Sequence, residues 1–336
     1  MAYQIDEKTI LKESDGKTVL ITDKDILFDT SSTIENITYD LPANYIASKF
    51  PSFGGSVSGY SSGGYSSSNW TNTISKFPFS VDANSTNVGN LTQGRDLGSV
   101  GASSPTNGYS FGGYLGSSSN IIDKFPFSSD GAATDVGDLQ AAYYGQSGQS
   151  SSTHGYSSGG NPGPSKTIER FPFAVDANAT DVGDNFEAAY YSATQSSTSH
   201  GYNAGAFPGT NVIQKFPFAV SNTNSTNVGD LLTSLGIQTG QSSSTHGYVT
   251  GGSSNPDSNV IQKFTFAADA NATDVGDLVL GRTRAAGQSS TTHGYTSGGN
   301  NVTVNNIDKH SFTTDANATD VGDLSASTRY TMGHQV

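Results

Sequence analysis

Apolar and polar residues alternate over short stretches of this chain. In NVIQKFTFAA, residues 259–268, Phe264 and Phe266 lie two positions apart, which places both on one face of a β-strand. No segment has apolar residues at spacings of three, four and seven, so the pattern excludes helical repeats. The sequence therefore predicts an all-β protein built from short strands.

Three short sequences recur together and define a repeat. Each KFPF-like tetrapeptide has a Gly-Tyr pair before it and a Val-Gly pair after it. Segments such as GRTRAAGQSS, THGYTSGG, NVIQKFTFAA and TDVGDL predict four strands, a to d, in each repeat. The tetrapeptides begin 45 to 48 residues apart, at Lys76, Lys124, Arg170, Lys215, Lys263 and Lys309. This period is typical of a β-propeller blade.

The two ends of the repeat region complement each other. The first unit begins with strand b (SVSGYSSGG), and the last ends after a strand a within Leu324–Val336. Pairing that last strand with the first unit completes a blade and removes an open edge. We therefore expect a six-bladed propeller of four-stranded blades over residues 44–336, closed by the C-terminal strand. The Pro of each FPF removes a ladder donor, so it should lie past the end of the short outer strand.

The repeats resemble those of kelch-type propellers. A Gly-Gly pair ends strand b in five units, in the place of the kelch glycine doublet, and the I-x-K-F strand takes the place of the kelch tyrosine strand. The fourth unit has Gly205-Ala206 instead, and the usual kelch tryptophan is absent. The KFPFA-DANATDVGDL sequences are also similar to repeat proteins of tailed phages of marine bacteria, cyanophages included. That resemblance implies a virion protein.

Residues 1–43 differ from the repeats and form a separate segment. Thirteen charged side chains fall within residues 1–40, and Asp15-Gly16 between two apolar pairs predicts a hairpin with a type I′ turn. A segment this small does not hold a core alone. We expect it to dock on another virion protein or on a second copy, the alternative being that it packs on its own propeller. The candidate docking residues are Ile10, Leu11, Val19, Leu20, Ile26, Leu27 and Phe28.

Composition narrows the function classes. A net charge of −13 argues against binding to nucleic acid or to anionic membranes. The absence of cysteine excludes disulfides, thiolate metal sites and cysteine nucleophiles. No apolar run is long enough to span a bilayer, so we expect no membrane insertion, and the N-terminus does not read as a Sec signal peptide.

Four histidines precede Gly-Tyr pairs, each five residues after a glutamine. They could form a metal ring, but histidines spread around a propeller axis do not converge to metal-bond distance. We therefore expect each histidine to bond its glutamine between strands a and b, since the repeat with Ala102 for the glutamine has Asn107 for the histidine. The histidines are His154, His200, His246 and His293, and the glutamines are Gln149, Gln195, Gln241 and Gln288.

The nonapeptide DANATDVGD, identical at 176–184, 269–277 and 315–323, allows two interpretations. Its Asp and Asn side chains resemble the oxygen ligands of a calcium loop. The sibling copies replace several of them with Asn, Gly or Ala, and the glycine stands eighth rather than sixth. A c–d turn capped by its own Asx side chains is the preferred interpretation, with calcium kept as the alternative.

The variable loops carry the candidate ligand face. Antiparallel order places the b–c and d–a loops at one end of the propeller and the uniform, acidic c–d turns at the other. Exposed aromatic residues among Ser, Asn and Gly suit sugar stacking or protein recognition, although unselected loops also drift freely. The candidate residues are Trp70, Tyr114, Tyr143, Tyr144, Tyr190, Tyr191 and Phe207.

These observations favour a protein that is not an enzyme and holds no cofactor. The d–a arginines (Arg95, Arg282, Arg284 and Arg329) have no carboxylate or nucleophile at a fixed spacing in the sequence, and a kelch-type copper oxidase needs a cysteine. We expect a structural protein of a phage virion, a tail fibre or a capsid or tail decoration, present in several copies and recognising host-surface glycan. The alternatives are a carbohydrate-binding surface module or adhesin of a bacterium and, less favoured, a glycan hydrolase.

Overall fold

The repeats form six blades arranged in a ring, each an antiparallel sheet of four strands. The computed structural model describes residues 54–66, 69–96, 101–299 and 304–336, together with three strands near the N-terminus. The chain divides into two compact units, Met1–Phe50 and Pro51–Val336. No helix in the described part of the chain is long and apolar enough to cross a membrane. The predicted all-β, six-bladed propeller is confirmed.

Each blade uses its four strands in chain order from the axis outwards, with blade 1 completed by the last strand of the chain. The innermost strands a are β29 (Met332–Gln335), β9 (Ala102–Ser103), β13 (Ser147–Ser150), β17 (Ala193–Ser196), β21 (Thr239–Ser242) and β25 (Ala286–Ser289). Strands b are β4 (Ser58–Ser62), β10 (Asn107–Phe111), β14 (His154–Ser158), β18 (His200–Ala206), β22 (His246–Thr250) and β26 (His293–Ser297).

The two outer strands complete the blades. Strands c are β7 (Thr73–Pro78), β11 (Ser119–Pro126), β15 (Thr167–Pro172), β19 (Thr210–Pro217), β23 (Val260–Thr265) and β27 (Asn306–Ser311). Strands d are β8 (Thr86–Asn90), β12 (Thr134–Tyr143), β16 (Thr180–Asp184), β20 (Thr226–Asp230), β24 (Thr273–Asp277) and β28 (Thr319–Asp323). A small ribbon, β5 (Tyr65–Ser66) with β6 (Asn69–Trp70), extends the b–c loop of blade 1.

The ring closes through blade 1, as the chain ends predict. Strand β29 pairs antiparallel with β4, with Met332 opposite Ser62 and Gln335 opposite Gly59. The backbone N–H of Val57 donates to the carbonyl of Val336 at 2.7 Å. Strand β4 is therefore paired with β29 on one side and with β7 on the other, so neither of its edges is open.

The Gly-Tyr and KFPF sequences build the packing between blades. The tyrosine of each Gly-Tyr pair is buried, and its ring lies 4.7 to 4.9 Å from the last aromatic ring of the KFPF-like sequence in the next blade. The glycine before it leaves room for the phenylalanine of its own strand c: a Cβ at Gly59 would lie 2.5 Å from the ring of Phe77, which contacts Tyr295 of the neighbouring blade. Repetition of these sequences thus reflects one interface used six times.

The FPF prolines lie elsewhere than predicted. Pro78, Pro126, Pro172 and Pro217 are each the last residue of a strand c, the third strand of the blade, rather than lying past an outer strand. Pro78 stands opposite Ser58 of strand b. A final strand position tolerates proline because the ladder ends there.

The N-terminal unit contains a three-stranded antiparallel sheet, β1 (Thr9–Lys12), β2 (Thr18–Ile21) and β3 (Ile26–Phe28). These strands coincide with the three apolar clusters of the sequence. The predicted turn at Asp15-Gly16 lies outside the described residues, as do the side chains of the candidate docking residues.

Candidate functional site

The variable b–c and d–a loops meet at one end of the propeller, as antiparallel order predicts. Short backbone bridges join loops of the two kinds across neighbouring blades: Tyr65 with Arg329, Asp96 with Tyr114, Tyr144 with Asn161, and Tyr190 with Phe207. These bridges hold the loops against one another. The side chains that the loops carry are therefore presented on a connected surface.

Eight aromatic side chains form a contiguous aromatic arc on this surface. Neighbouring ring centroids lie 5.3 to 6.5 Å apart, within the range at which aromatic rings attract one another. Within the arc Trp70 and Phe207 are 42% and 39% exposed, whereas Tyr191 is buried. The members of the arc are Tyr65, Trp70, Tyr114, Tyr144, Tyr190, Tyr191, Phe207 and Tyr330.

The arc differs from the predicted ligand face by three residues. Tyr143 does not join it, since it packs over the glycine doublet of blade 3, where a Cβ at Gly160 would lie 2.9 Å from its own Cβ. Tyr65 and Tyr330 belong to the arc but were not predicted. Aligning the repeats would have shown that Tyr330 stands, like Tyr191, two residues before a strand a.

A ring of left-handed residues surrounds the axis where each d–a loop enters strand a. The backbone φ of these residues lies between 56° and 61°, a left-handed conformation that is unfavourable for residues other than glycine. They are Tyr191, Ile237, Arg284 and Tyr330. The N–H of each donates to the carbonyl of its counterpart on the preceding blade, beginning at Gly145, with N–O distances of 2.7 to 3.4 Å. This ring turns Tyr191 and Tyr330 toward each other, with ring centroids 5.7 Å apart.

Charged groups border the arc. The Arg284 guanidinium lies over the ring of Tyr330 at 4.9 Å, and that of Arg329 lies over Tyr65 at 5.0 Å. Burial raises the pKa of Asp96 to about 6, against a hydrogen bond from Trp70 and the charge of Arg329. The Asp96 Oδ1 atom is buried without a hydrogen-bond partner. Rings beside an acceptor and two cations can contact both the apolar and the polar parts of a ligand.

The two other d–a arginines are structural. Arg95 and Arg282 are buried and form ion pairs with Asp123 and Asp308 of the following blade. Asp123 follows Arg95 by 28 residues and Asp308 follows Arg282 by 26, so the carboxylates have no fixed spacing from the arginines in the sequence. The four d–a arginines are divided between blade boundaries and the border of the arc.

The central channel is too narrow for a ligand. The strands a leave a volume of about 40 Å³ along the axis, little more than the share of one water molecule in the liquid. Glycines let the backbones touch: a Cβ at Gly240 would lie 2.1 Å from the carbonyl oxygen of Thr194.

The histidines and glutamines do not bond each other, so that prediction is wrong. Each histidine Nδ1 lies 2.8 Å from the hydroxyl of the preceding Thr or Ser. Each glutamine Nε2 donates instead to a tyrosine carbonyl of the next blade, as Gln195 does to Tyr248 at 2.8 Å. The glutamines project across the blade boundary, whereas the histidines begin strand b at the a–b turn. Among the described residues no three His, Cys, Asp or Glu side chains are grouped to hold a metal ion.

The DANATDVGD copies act as blade connectors, a name kept below for these nonapeptides. In five of the six, the first residue is an Asp whose carboxylate binds the lysine of the preceding blade's KFPF-like sequence at 2.5 to 2.9 Å. The Asn in third position accepts the N–H of the ninth residue of the preceding connector at 3.0 to 3.1 Å. The charge at the first position thus has a role that comparison of the copies alone did not show.

The sixth and eighth connector positions lie in strand d, where its register against strand c shifts. The Asp or Asn in sixth position accepts the N–H of the glycine in eighth position at 3.0 to 3.2 Å. That glycine touches the next blade: a Cβ at Gly276 would lie 2.5 Å from the carbonyl oxygen of Ala316. The predicted capping of the backbone by Asx side chains is therefore observed, but in strand d rather than in the c–d turn.

No known protein family and no curated protein matches the sequence. Function has to be inferred from the described side chains and their geometry.

Proposed function

We propose that this protein is a non-enzymatic propeller that binds host-surface glycan through the aromatic arc and is displayed on the virion of a tailed phage. The arc carries the glycan part of the proposal. Its exposed rings, those of Trp70 and Phe207, suit the apolar C–H faces of sugars, and the guanidinium groups of Arg284 and Arg329 border the arc. The glycine-packed channel and the connector end offer no comparable aromatic surface among the described residues.

The proposal that the protein is displayed on a virion rests on the resemblance of its repeats to those of phage proteins. The kelch-like glycine doublets have positive φ, as at Gly159 (70°) and Gly160 (116°), and fit closely between two d–a loops, the one that leaves their own blade and the one that comes from the preceding blade. Together with the phage-like repeats, this supports a kelch-like phage protein attached to capsid or tail through residues 1–43 in several copies. Peptide mass spectrometry of purified virions tests the location, and absence from intact particles would contradict it.

A bacterial carbohydrate-binding surface module or adhesin is the alternative that the same arc favours. It would bind the same class of ligand but fractionate with the cell envelope. A glycan hydrolase would release reducing ends from the bound glycan, and would lose this turnover on Arg284→Ala. We expect no such release.

The glycan proposal is tested by binding of the full-length protein to bacterial surface polysaccharides on an array. Trp70→Ala and Phe207→Ala should each weaken binding by about tenfold, since stacked aromatic residues often dominate binding energy. Phe186→Ala is the matched control, because Phe186 is 49% exposed and makes no ring contact with the arc. Equal binding by the arc variants and the control would contradict the proposal.

A further inference from the structure

Each boundary between blades has a pair of residues at fixed repeat positions. One lies four residues after the leucine or asparagine that directly follows a connector, and the other lies on strand c of the next blade, before the Lys or Arg of the KFPF-like sequence. Two of the pairs are Arg95 with Asp123 and Arg282 with Asp308, both buried. Three others combine Tyr143 with Glu169, Ala189 with Gln214 and Leu235 with Gln262.

The boundary between blades 6 and 1 has the small pair Thr328 and Ser75. The Ser75 hydroxyl lies 3.2 Å from that of Ser325 on blade 6, so Ser75 faces this boundary. Without a long side chain at either position, a cavity of about 260 Å³ remains there. Its lining includes Ser66, Ser75, Asn87, Ser325, Ala326 and Thr328.

The lining is rich in hydroxyl groups and holds no charged side chain. Thr331, also in the lining, is 2% exposed, and its Oγ1 atom is buried, so this hydroxyl does not face the cavity. Ser325 and Asn87 are exposed, which gives the cavity access to solvent.

We propose that this seam cavity binds one neutral hexose ring. Its volume is just below the lower end of the range for ligand pockets, about 300 Å³, which suits a single ring rather than an oligosaccharide. Serine and threonine hydroxyls both donate and accept hydrogen bonds, which matches the hydroxyls of a sugar, while threonine methyls and Ala326 face its C–H groups. The uncharged lining disfavours an ionised ligand.

The seam cavity is distinct from the aromatic arc. Its lining residues are not members of the arc, although Ser66 and Thr328 adjoin Tyr65 and Arg329 along the chain. The proposal does not depend on glycan binding by the arc, so the two sites can be tested separately.

Titration of the full-length protein with D-glucose, D-galactose and D-mannose, followed by calorimetry and saturation-transfer NMR, tests the site. We expect saturable binding of at least one hexose and none of D-glucuronate. The double variant Ser75→Asp/Thr328→Arg installs the pair found at Asp308 and Arg282, fills the cavity, and should weaken binding at least tenfold. Phe186→Ala should leave hexose binding unchanged, because Phe186 belongs neither to the arc nor to the lining.

Thr328→Val provides a second variant that keeps the side-chain shape. It should weaken hexose binding several-fold, because it removes one hydroxyl of the lining. The proposal is overturned if the wild-type protein binds none of the three hexoses saturably. It is also overturned if a folded double variant, or Thr328→Val alone should the double variant not fold, binds hexose as tightly as the wild type.

Discussion

The Asn178 side chain accepts a hydrogen bond from the backbone N–H of Asp138, 3.1 Å away on the preceding blade. Blade 2 carries Ala132 at the same connector position. Asn178→Ala should lower the free energy of unfolding by about 1 kcal/mol, and Ala132→Asn should raise it by a similar amount. Urea denaturation of both variants checks this, and a connector that acts only as a local turn would show neither change.

His310 occupies the position that phenylalanine holds in the other five KFPF-like sequences. It is 3% exposed, neither ring nitrogen has a hydrogen-bond partner, and burial lowers its pKa to about 3. His310→Phe should therefore raise the free energy of unfolding by about 1–3 kcal/mol. The gain should be larger at pH 5 than at pH 8, because at pH 5 the unfolded histidine binds a proton that the folded one does not. A lower melting temperature for the variant would contradict this account.

Glu169 gives the opposite pH dependence. Burial raises its pKa from 4.5 to about 7, and its Oε2 atom has no hydrogen-bond partner. A raised folded-state pKa stabilises the protein below the unfolded value, and this contribution is lost as the pH rises through the folded value. Glu169→Gln should therefore have little effect near pH 4.5 and increase the melting temperature near pH 8.

Two other repeats already have glutamine at the position of Glu169. Gln214 and Gln262 occupy the equivalent position, and their Oε1 atoms accept backbone N–H groups from Glu187 and Leu232 at 3.0 and 2.8 Å. Equal melting-temperature differences at the two pH values would show that Glu169 does not titrate in this range.

Chelation of divalent metal should leave the melting temperature unchanged. Connector aspartates such as Asp176 and Asp315 bind lysines of the preceding blade rather than converging on one point. A fall in melting temperature with EDTA that calcium restores would revive the calcium interpretation. Differential scanning fluorimetry with and without EDTA suffices.

The fold could be predicted because the sequence features that determine it are short and recur in every repeat. The spacing of the KFPF-like sequences set the blade number, and the missing strand a of the first unit located the closure. Side-chain partners were harder, because most of them lie across a blade boundary. Gln149 was assigned to His154 five residues away, yet it donates to the Tyr202 carbonyl of the next blade.

The same limit applies to the candidate site. Six residues of the arc could be predicted from aromatic content in variable loops. Tyr330 was missed because it lies in the closing segment, although its repeat position is that of Tyr191. The seam cavity was missed for a similar reason: the small size of Ser75 matters only beside Thr328, 253 residues later in the numbering.

The hydrogen bond between Val57 and Val336 places the start and the end of the propeller side by side. A short linker could join these two points, and new termini could be opened in a variable b–c loop of another blade. The arrangement of the blades around the axis therefore does not fix the blade at which the chain begins. A circular permutant would keep all six boundaries, including the seam cavity, while moving the attachment point of the N-terminal unit to any blade chosen.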